Sequence, residues 1–421
     1  MKIQELYSYY TQHFLVDTDT RKIRENTIFF ALKGNNFNGN EFAERALELG
    51  AKYAVVDEAK YKTNDAIFLV NDVLQTLQKL ANYHRKQLKI PVIGLTGSNG
   101  KTTTKELIYS VLKQRYKAIA TQGNLNNHIG VPLTLLSIQP EHEIAIIEMG
   151  ANHQKEIEFL SNICEPDFGY ITNFGKAHLE GFGGVEGVIK GKSELYTYLK
   201  ENNKTAFVNP NDTIQMEKTG TINRILFDID AISFVDVNPF VQLKFGDTIV
   251  QSQIIGAYNF TNITAAITIG MHFNVDKESI AKAIENYVPE NNRSQIIEKS
   301  GKTIILDAYN ANPSSMEVAL TNFASLKKEQ KLAILGDMFE LGEDSEIEHQ
   351  KIVDKVNCLK LDAFFIGEHF YKTETNQPKF KTFDEFASFI KKNPMHQKNL
   401  LIKGSRGMRL ERVLDVFTSS Y

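Results

Sequence analysis

Residues Gly94-Leu95-Thr96-Gly97-Ser98-Asn99-Gly100-Lys101-Thr102-Thr103 decide how this chain folds. They follow a short apolar run, residues 92–95, and precede residues 101–114, where Leu107, Ile108, Val111 and Leu112 recur at helical spacing. A glycine-rich turn between strand and helix lets backbone N–H groups converge on an anion, and the helix N-terminus adds its positive end. Lys101 is placed to reach the β- and γ-phosphates of ATP, and the Thr102 hydroxyl to bind Mg2+. The strict phosphate-loop pattern puts a glycine where Leu95 stands; here the glycines fall at 94, 97 and 100. A plain glycine-rich turn with a solvated lysine is the competing reading, and the coincidence of strand, Gly-Lys-Thr-Thr and helix argues against it.

Working outward, residues 143–148 and 169–172 read as further buried strands, and residues 258–272 as a helix with small residues at Ala265 and Ala266. Strands alternating with helices predict a parallel sheet covered on both faces. Upstream, residues 27–32 and 53–56 read as strands and 41–49 as a helix closed by Gly50. A basic, polar segment at 84–89 then marks the first domain boundary. Downstream, Pro289-Glu290-Asn291-Asn292 is turn-like. A third alternating series follows, with strands at 303–306, 332–335, 363–366 and 400–402, which predicts a second, smaller doubly wound sheet. The fold class is therefore α/β in three domains. Residues 1–86 form an N-terminal α/β substrate domain, 87–290 a central P-loop-type parallel sheet, and 291–421 a C-terminal Rossmann-like domain.

The 421 residues are too many for a single core. A net charge of −3 gives no global attraction for nucleic acid or an anionic membrane, so local groups must hold any phosphate. The apolar run at 144–147 is far too short to span a bilayer, and the opening Met-Lys-Ile-Gln-Glu lacks a signal-peptide core, so a cytoplasmic location is expected. Cys164 and Cys358 read as buried small hydrophobes, not as a zinc site.

Three side chains near the predicted crevice carry possible chemistry. Glu148 ends a buried strand, where the ligand crevice of an open α/β sheet lies, and can ligate a phosphate-bridging Mg2+. Taken alone, an acid there caps a helix as often as not. His178 follows the strand at 169–172; a lone loop histidine is usually surface decoration. Lys190 and Lys192 lie on the next helix and would ordinarily be solvated charges.

The whole chain resembles the Mur ligases, in particular those of the MurF type. Thr96-Gly97-Ser98-Asn99-Gly100-Lys101-Thr102-Thr103 is similar to the ATP loop of that family and of its folylpolyglutamate synthetase relatives. Gly123-Asn124-Leu125-Asn126-Asn127-His128-Ile129-Gly130-Val131-Pro132 looks like the family's substrate-binding segment. Three further segments resemble the MurF type specifically. They are Asp307-Ala308-Tyr309-Asn310-Ala311-Asn312-Pro313-Ser314-Ser315-Met316, then Leu335-Gly336-Asp337-Met338-Phe339-Glu340-Leu341-Gly342-Glu343, and last Leu401-Ile402-Lys403-Gly404-Ser405-Arg406-Gly407-Met408-Arg409-Leu410-Glu411. Asp19-Thr20-Arg21 and Phe29-Phe30-Ala31-Leu32-Lys33-Gly34 resemble the UDP-substrate domain. The chain departs from the pattern at Leu306, where relatives often carry an acid, and at Tyr258, where many carry histidine.

The resemblance implies an ATP-dependent amide ligase of peptidoglycan precursor synthesis. It would join D-alanyl-D-alanine to a UDP-N-acetylmuramoyl tripeptide through an acyl phosphate, with the C-terminal domain closing over ATP. It implies ATP contacts at Gly97, Ser98, Asn99, Gly100, Lys101, Thr102, Thr103, Asn262, Arg293, Asp307 and Asn310, and acceptor contacts at Thr20, Arg21, Asn126 and Asn127. It also implies Mg2+ ligation by Thr102, Glu148, His178 and a carbamylated Lys192, which lies fourteen residues after the histidine. Catalysis would fall to Lys101, Glu148, His178 and Lys192. The expected molecule is a monomer without nucleic-acid or membrane partners. A folylpolyglutamate-type ligase would share the ATP loop and lack the C-terminal segments. A P-loop switch or kinase would not need three domains, and a scaffold descended from a ligase would be expected to lose Lys101, Glu148 or Lys192.

Overall fold

A computed structural model describes residues 1–290 and 292–417. The turn expected at 289–292 thus includes one residue, Asn291, outside the described set. Among the described residues no helix is long and apolar enough to cross a membrane.

The strand that precedes the phosphate loop, Val92–Thr96, is buried at every position and lies inside a six-stranded sheet. In spatial order this sheet runs Asn223–Leu226, Thr205–Val208, Phe168–Ile171, Val92–Thr96, Ile144–Glu148 and Ala118–Ala120, with every pair parallel. A strand buried on both faces needs apolar residues throughout, as Ile144–Glu148 shows until its final glutamate. The helices Lys101–Leu112 and Asn259–His272 pack together on one face, where the small Ala265 and Ala266 are fully buried.

The first sheet has four parallel strands, Val16–Asp17, Ile28–Phe30, Tyr53–Val56 and Ile67–Leu69. The third has six, and its order is Gln295–Lys299, Lys302–Asp307, Asn399–Lys403, Lys331–Gly336, Asp362–Ile366 and Lys379–Phe380. Only Gln295–Lys299 runs antiparallel in it. It therefore equals the central sheet in strand number and is not smaller, because the polar edge strands Gln295–Lys299 and Lys379–Phe380 lack the apolar run that marks an inner strand. A three-stranded antiparallel sheet, Ile232–Val237, Phe240–Phe245 and Thr248–Ile255, was also not legible as such. Of the two cysteines Cys164 is buried as expected, whereas Cys358 ends the helix Ser345–Cys358 and is exposed.

The basic segment at 84–89 begins inside a helix: residues 84–87 are the last turn of the 15-residue Val73–Gln87, in which His84 and Arg85 are buried. Arg85 donates to the carbonyls of Cys164 and Glu165 and pairs with Asp167 at 2.8 Å. His84 faces the Ile138 carbonyl through Nε2 at 2.9 Å, and burial lowers its pKa, so it sits there as a neutral donor. Leu6, Tyr10, Leu77 and Leu80 join Leu135, Ile138 and Ile147 of the central domain in one continuous core. Composition marked these residues as polar; a fixed guanidinium aimed at open carbonyls at the ends of helix and strand explains their burial.

Arg85→Ala leaves those acceptors unpaired and should lower stability by about 2–3 kcal/mol. Lys86→Ala, whose side chain is 55% exposed with its ammonium 3.3 Å from Glu165, should change it by less than about 0.5 kcal/mol. Thermal melting of both variants is the check, and equal effects would remove Arg85 from the domain junction.

Candidate active site

The phosphate loop is built by backbone conformations that only glycine adopts easily. Gly97 has φ +140°, and a Cβ there would lie 2.0 Å from Thr172 Oγ1. Gly100 caps the following helix at φ +78°, with a would-be Cβ 2.9 Å from Asn262 Nδ2. The first-turn N–H groups of that helix have no intrahelical acceptors and face the loop. Ser98 and Asn99 are tied to the next loop: their N–H groups donate to the Asn173 carbonyl (3.0 Å) and to Asn173 Oδ1 (3.1 Å). Lys101 lies over the loop and donates to the carbonyls of Gly97 (2.8 Å) and Ser98 (3.3 Å). Burial lowers its pKa; the Glu148 charge opposes that shift and Arg293 adds to it.

Glu148 is 1% exposed at the carboxyl end of its strand. Its Oε2 accepts from Thr102 Oγ1 (2.9 Å) and its Oε1 from Asn126 Nδ2 (2.8 Å). The loop, the strand end and the substrate-like segment therefore meet on one carboxylate. Asn127 has a different local task, since its Oδ1 caps the N–H groups of Ile129 (3.1 Å) and Gly130 (2.9 Å).

His178 sits at φ +53°, a left-handed conformation that a side chain rarely adopts, and its Nδ1 pairs with Glu340 of the C-terminal domain. That pairing lowers the Glu340 carboxyl below its usual range. Lys192 is fully buried and its amine donates to the Ala151 carbonyl at 3.0 Å, just past Glu148, while Lys190 is exposed. Burial, and then the nearby Lys101 charge, place the Lys192 pKa well below the ordinary lysine value.

These groups border a cavity of about 1420 Å3. Of the residues expected to hold ATP, metal or acceptor, Ser98 to Thr103, Asn126, Asn127, Glu148, His178, Asn262, Arg293, Asp307 and Asn310 line it. Lys192 and Gly97 are not among its lining residues, although Lys192 bonds the backbone of Ala151, which is. Thr20 and Arg21 are not brought there: they occupy a surface 3-10 turn of the first domain, where Arg21 forks onto Asp19 at 2.7 Å with its side chain 86% exposed. Among the described residues no three His, Cys, Asp or Glu side chains group as metal ligands. A metal here would draw on the mixed set of threonine, glutamate, histidine and lysine.

Some lining groups carried no assigned role in the sequence. Lys403 bonds Asp307 at 2.6 Å, Asp307 also accepts the Ser294 N–H at 3.1 Å, and Tyr258 OH meets Ser294 Oγ at 2.9 Å. The Arg293 guanidinium stacks 3.7 Å from the Tyr309 ring centre. Asn312 donates to Asn99 at 2.7 Å and so joins the C-terminal domain to the phosphate loop. A strand-end position was the available signal for Lys403; the others depend on how the domains meet.

Lys101→Ala should abolish ATP-dependent phosphate release, by more than about 100-fold, while the variant still folds and melts cooperatively. Near-normal release would exclude the loop from the chemistry.

Residues 13–94 match the Mur ligase family catalytic domain, 95–270 the Mur ligase middle domain and 292–395 the Mur ligase glutamate ligase domain. The chain is 35% identical to the UDP-N-acetylmuramoyl-tripeptide–D-alanyl-D-alanine ligase of Bacillus subtilis, over 95% of this chain and 92% of that one. It superposes on a MurF crystal structure from Acinetobacter baumannii with a TM-score of 0.85 and 32% identity, covering 96% of this chain and 93% of the other. A Thermotoga maritima MurF ligase in complex with ADP gives a TM-score of 0.84 at 28% identity, covering 96% and 97%. With this geometry and these likenesses along its length, the chain belongs to the Mur ligase family, in its MurF branch.

Proposed function

We propose that this chain is the ATP-dependent ligase that joins D-alanyl-D-alanine to a UDP-N-acetylmuramoyl tripeptide, a step in peptidoglycan precursor assembly. The observation that carries the reading is the single cavity bordered by the phosphate loop, by Asn126 and Asn127, and by Arg293, Asp307 and Asn310. The phosphate loop, the Asn126–Asn127 segment and two of the MurF-like C-terminal segments, through Asp307, Asn310 and Lys403, border one volume, which supports a triphosphate and an acceptor meeting there. A folylpolyglutamate-type ligase would not need those C-terminal segments at the cavity wall.

A carboxylate oxygen of the tripeptide attacks the γ-phosphorus, the bond to the β-phosphate oxygen breaks, and ADP leaves an acyl phosphate. The dipeptide amine then attacks the acyl carbon, inorganic phosphate departs, and the nitrogen sheds a proton. Bringing a carboxylate onto a triphosphate is opposed by like charge, strongly so away from water. Lys101 and Arg293, fixed at the cavity, offset that repulsion without reorganising. The C-terminal domain, docked on the phosphate loop through Asn312, keeps water from the acyl phosphate.

The donor set fits Mg2+. Glu148 is a buried carboxylate whose hydrogen-bond partners are the neutral Thr102 and Asn126, an arrangement a nearby cation would stabilise. Thr102, Glu148 and His178 would hold it, and bound Mg2+ supplies charge neutralisation at the phosphate oxygens. Lys192 joins this set as a carbamate: burial favours its neutral amine, the form that adds to CO2. With 13C-bicarbonate, wild type and Lys190→Ala should show a carbamate carbon resonance that Lys192→Ala lacks. A wild-type spectrum without it refutes the modification.

The UDP end of the acceptor is assigned to the first domain, where the exposed Arg21 guanidinium, held by Asp19, can exchange that partner for a phosphate. Phosphate release with UDP-muramoyl tripeptide should depend on D-alanyl-D-alanine and yield the amide by mass. In the same assay Arg21→Ala should raise the acceptor KM about tenfold and leave those for ATP and dipeptide nearly unchanged. A rise confined to ATP would place the acceptor elsewhere.

A further inference from the structure

The loop at residues 173–180, which carries His178, is held from two sides. On one side Ser98 Oγ donates to the Gly175 carbonyl at 2.8 Å, tying it to the phosphate loop. On the other, the Lys176 N–H donates to Ser314 Oγ (2.8 Å) and its ammonium to Glu348 Oε1 (2.9 Å), both in the C-terminal domain. Glu348 lies in the first turn of the helix Ser345–Cys358 with its side chain 8% exposed. The same oxygen also receives Lys351 of its own helix at 2.8 Å. One nearly buried carboxylate therefore binds a lysine from each domain.

The next residue, His349, is fully buried and accepts the Met338 N–H at Nε2 (3.0 Å) while its Nδ1 faces the Ser345 carbonyl (2.6 Å). It fixes the backbone of the segment that brings Glu340 to His178. Adjacent residues of one helix thus support two contacts that the C-terminal domain makes with the 173–180 loop.

We propose that Glu348 is a positioning residue for the ligation: through Lys176 it locks the 173–180 loop to the docked C-terminal domain and so governs how far the acyl phosphate is shielded from water. A shielded carboxylate is costly unless paired. Lys351 pairs it in any domain arrangement, whereas Lys176 reaches it only when the domains meet, so this second bond favours the docked state selectively. The Lys176 side chain is 41% exposed, which keeps the effect modest.

The inference rests on the ligase reading, and one assay separates the two. Phosphate release and amide formation are measured together, and dipeptide-dependent amide formation by wild type tests the ligase reading alone. Lys176→Met and Glu348→Gln should raise the phosphate released per amide formed about threefold, the shift that one half-exposed ion pair supports. Lys176→Arg and Lys351→Met should keep the wild-type ratio. Lys176→Met alters a half-exposed position and decides the matter even if Glu348→Gln folds poorly. A wild-type ratio in Lys176→Met, or an equal rise in Lys351→Met, overturns the proposal.

Discussion

Burying Glu148 among neutral donors costs free energy that hydrogen bonds return only in part, and the site is arranged around that cost. Its strand must end where the phosphate loop begins its helix, since Thr102 supplies one bond. The Asn124–Gly130 segment must fold back over the same strand end, since Asn126 supplies the other. Lys101 and Lys105 stand near enough for the Glu148 charge to raise their pKa values against burial. A region with a buried acid and crowded, desolvated lysines is poorly satisfied by protein alone, and polyphosphate with a divalent cation is the kind of ligand that completes it.

The carboxyl ends of the parallel strands give this region its place. Glu148, the phosphate loop and the loop that follows Phe168–Ile171 leave adjacent strands on the same edge of the sheet, where right-handed crossovers open a crevice. The C-terminal sheet turns a corresponding edge toward it: Asp307 and Lys403 close neighbouring strands, paired in register, and both line the cavity. The reacting groups are therefore divided between two sheets, which are brought together by a shared apolar core and by polar contacts among Asn99, Lys176, His178, Asn312, Ser314, Glu340 and Glu348.

The first domain is bound to the second in a different manner. The buried Arg85 fork reinforces the apolar core there, whereas the C-terminal domain, whose Met316, Met338 and Leu341 extend the same core, adds hydrogen bonds and a half-exposed ion pair. Rigid attachment suits a domain assigned to hold one end of a long acceptor. An attachment made partly of exposed polar contacts suits one that must admit ATP and release ADP.

The central strands and the phosphate loop were determined by the sequence itself, because glycine spacing and uninterrupted apolar runs are local signals with one cheap conformational answer; Asn126, Asn262, Arg293, Asp307 and Asn310 were marked only by resemblance. Lys192 could be singled out over Lys190 only by resemblance, and the fold supplies the physical distinction: one side of the helix Val185–Glu201 is packed and the other is solvated. Tertiary structure alone decided that His84 and Arg85 are buried at a helix end, that Cys358 is exposed, that Arg21 lies away from the cavity, and that Glu340 and Glu348 reach across to His178 and Lys176. Charged side chains have no periodicity that reveals their partners. Whether such a residue is solvated, buried or bridging depends on which distant backbone or opposite charge the fold brings within about 3 Å of it.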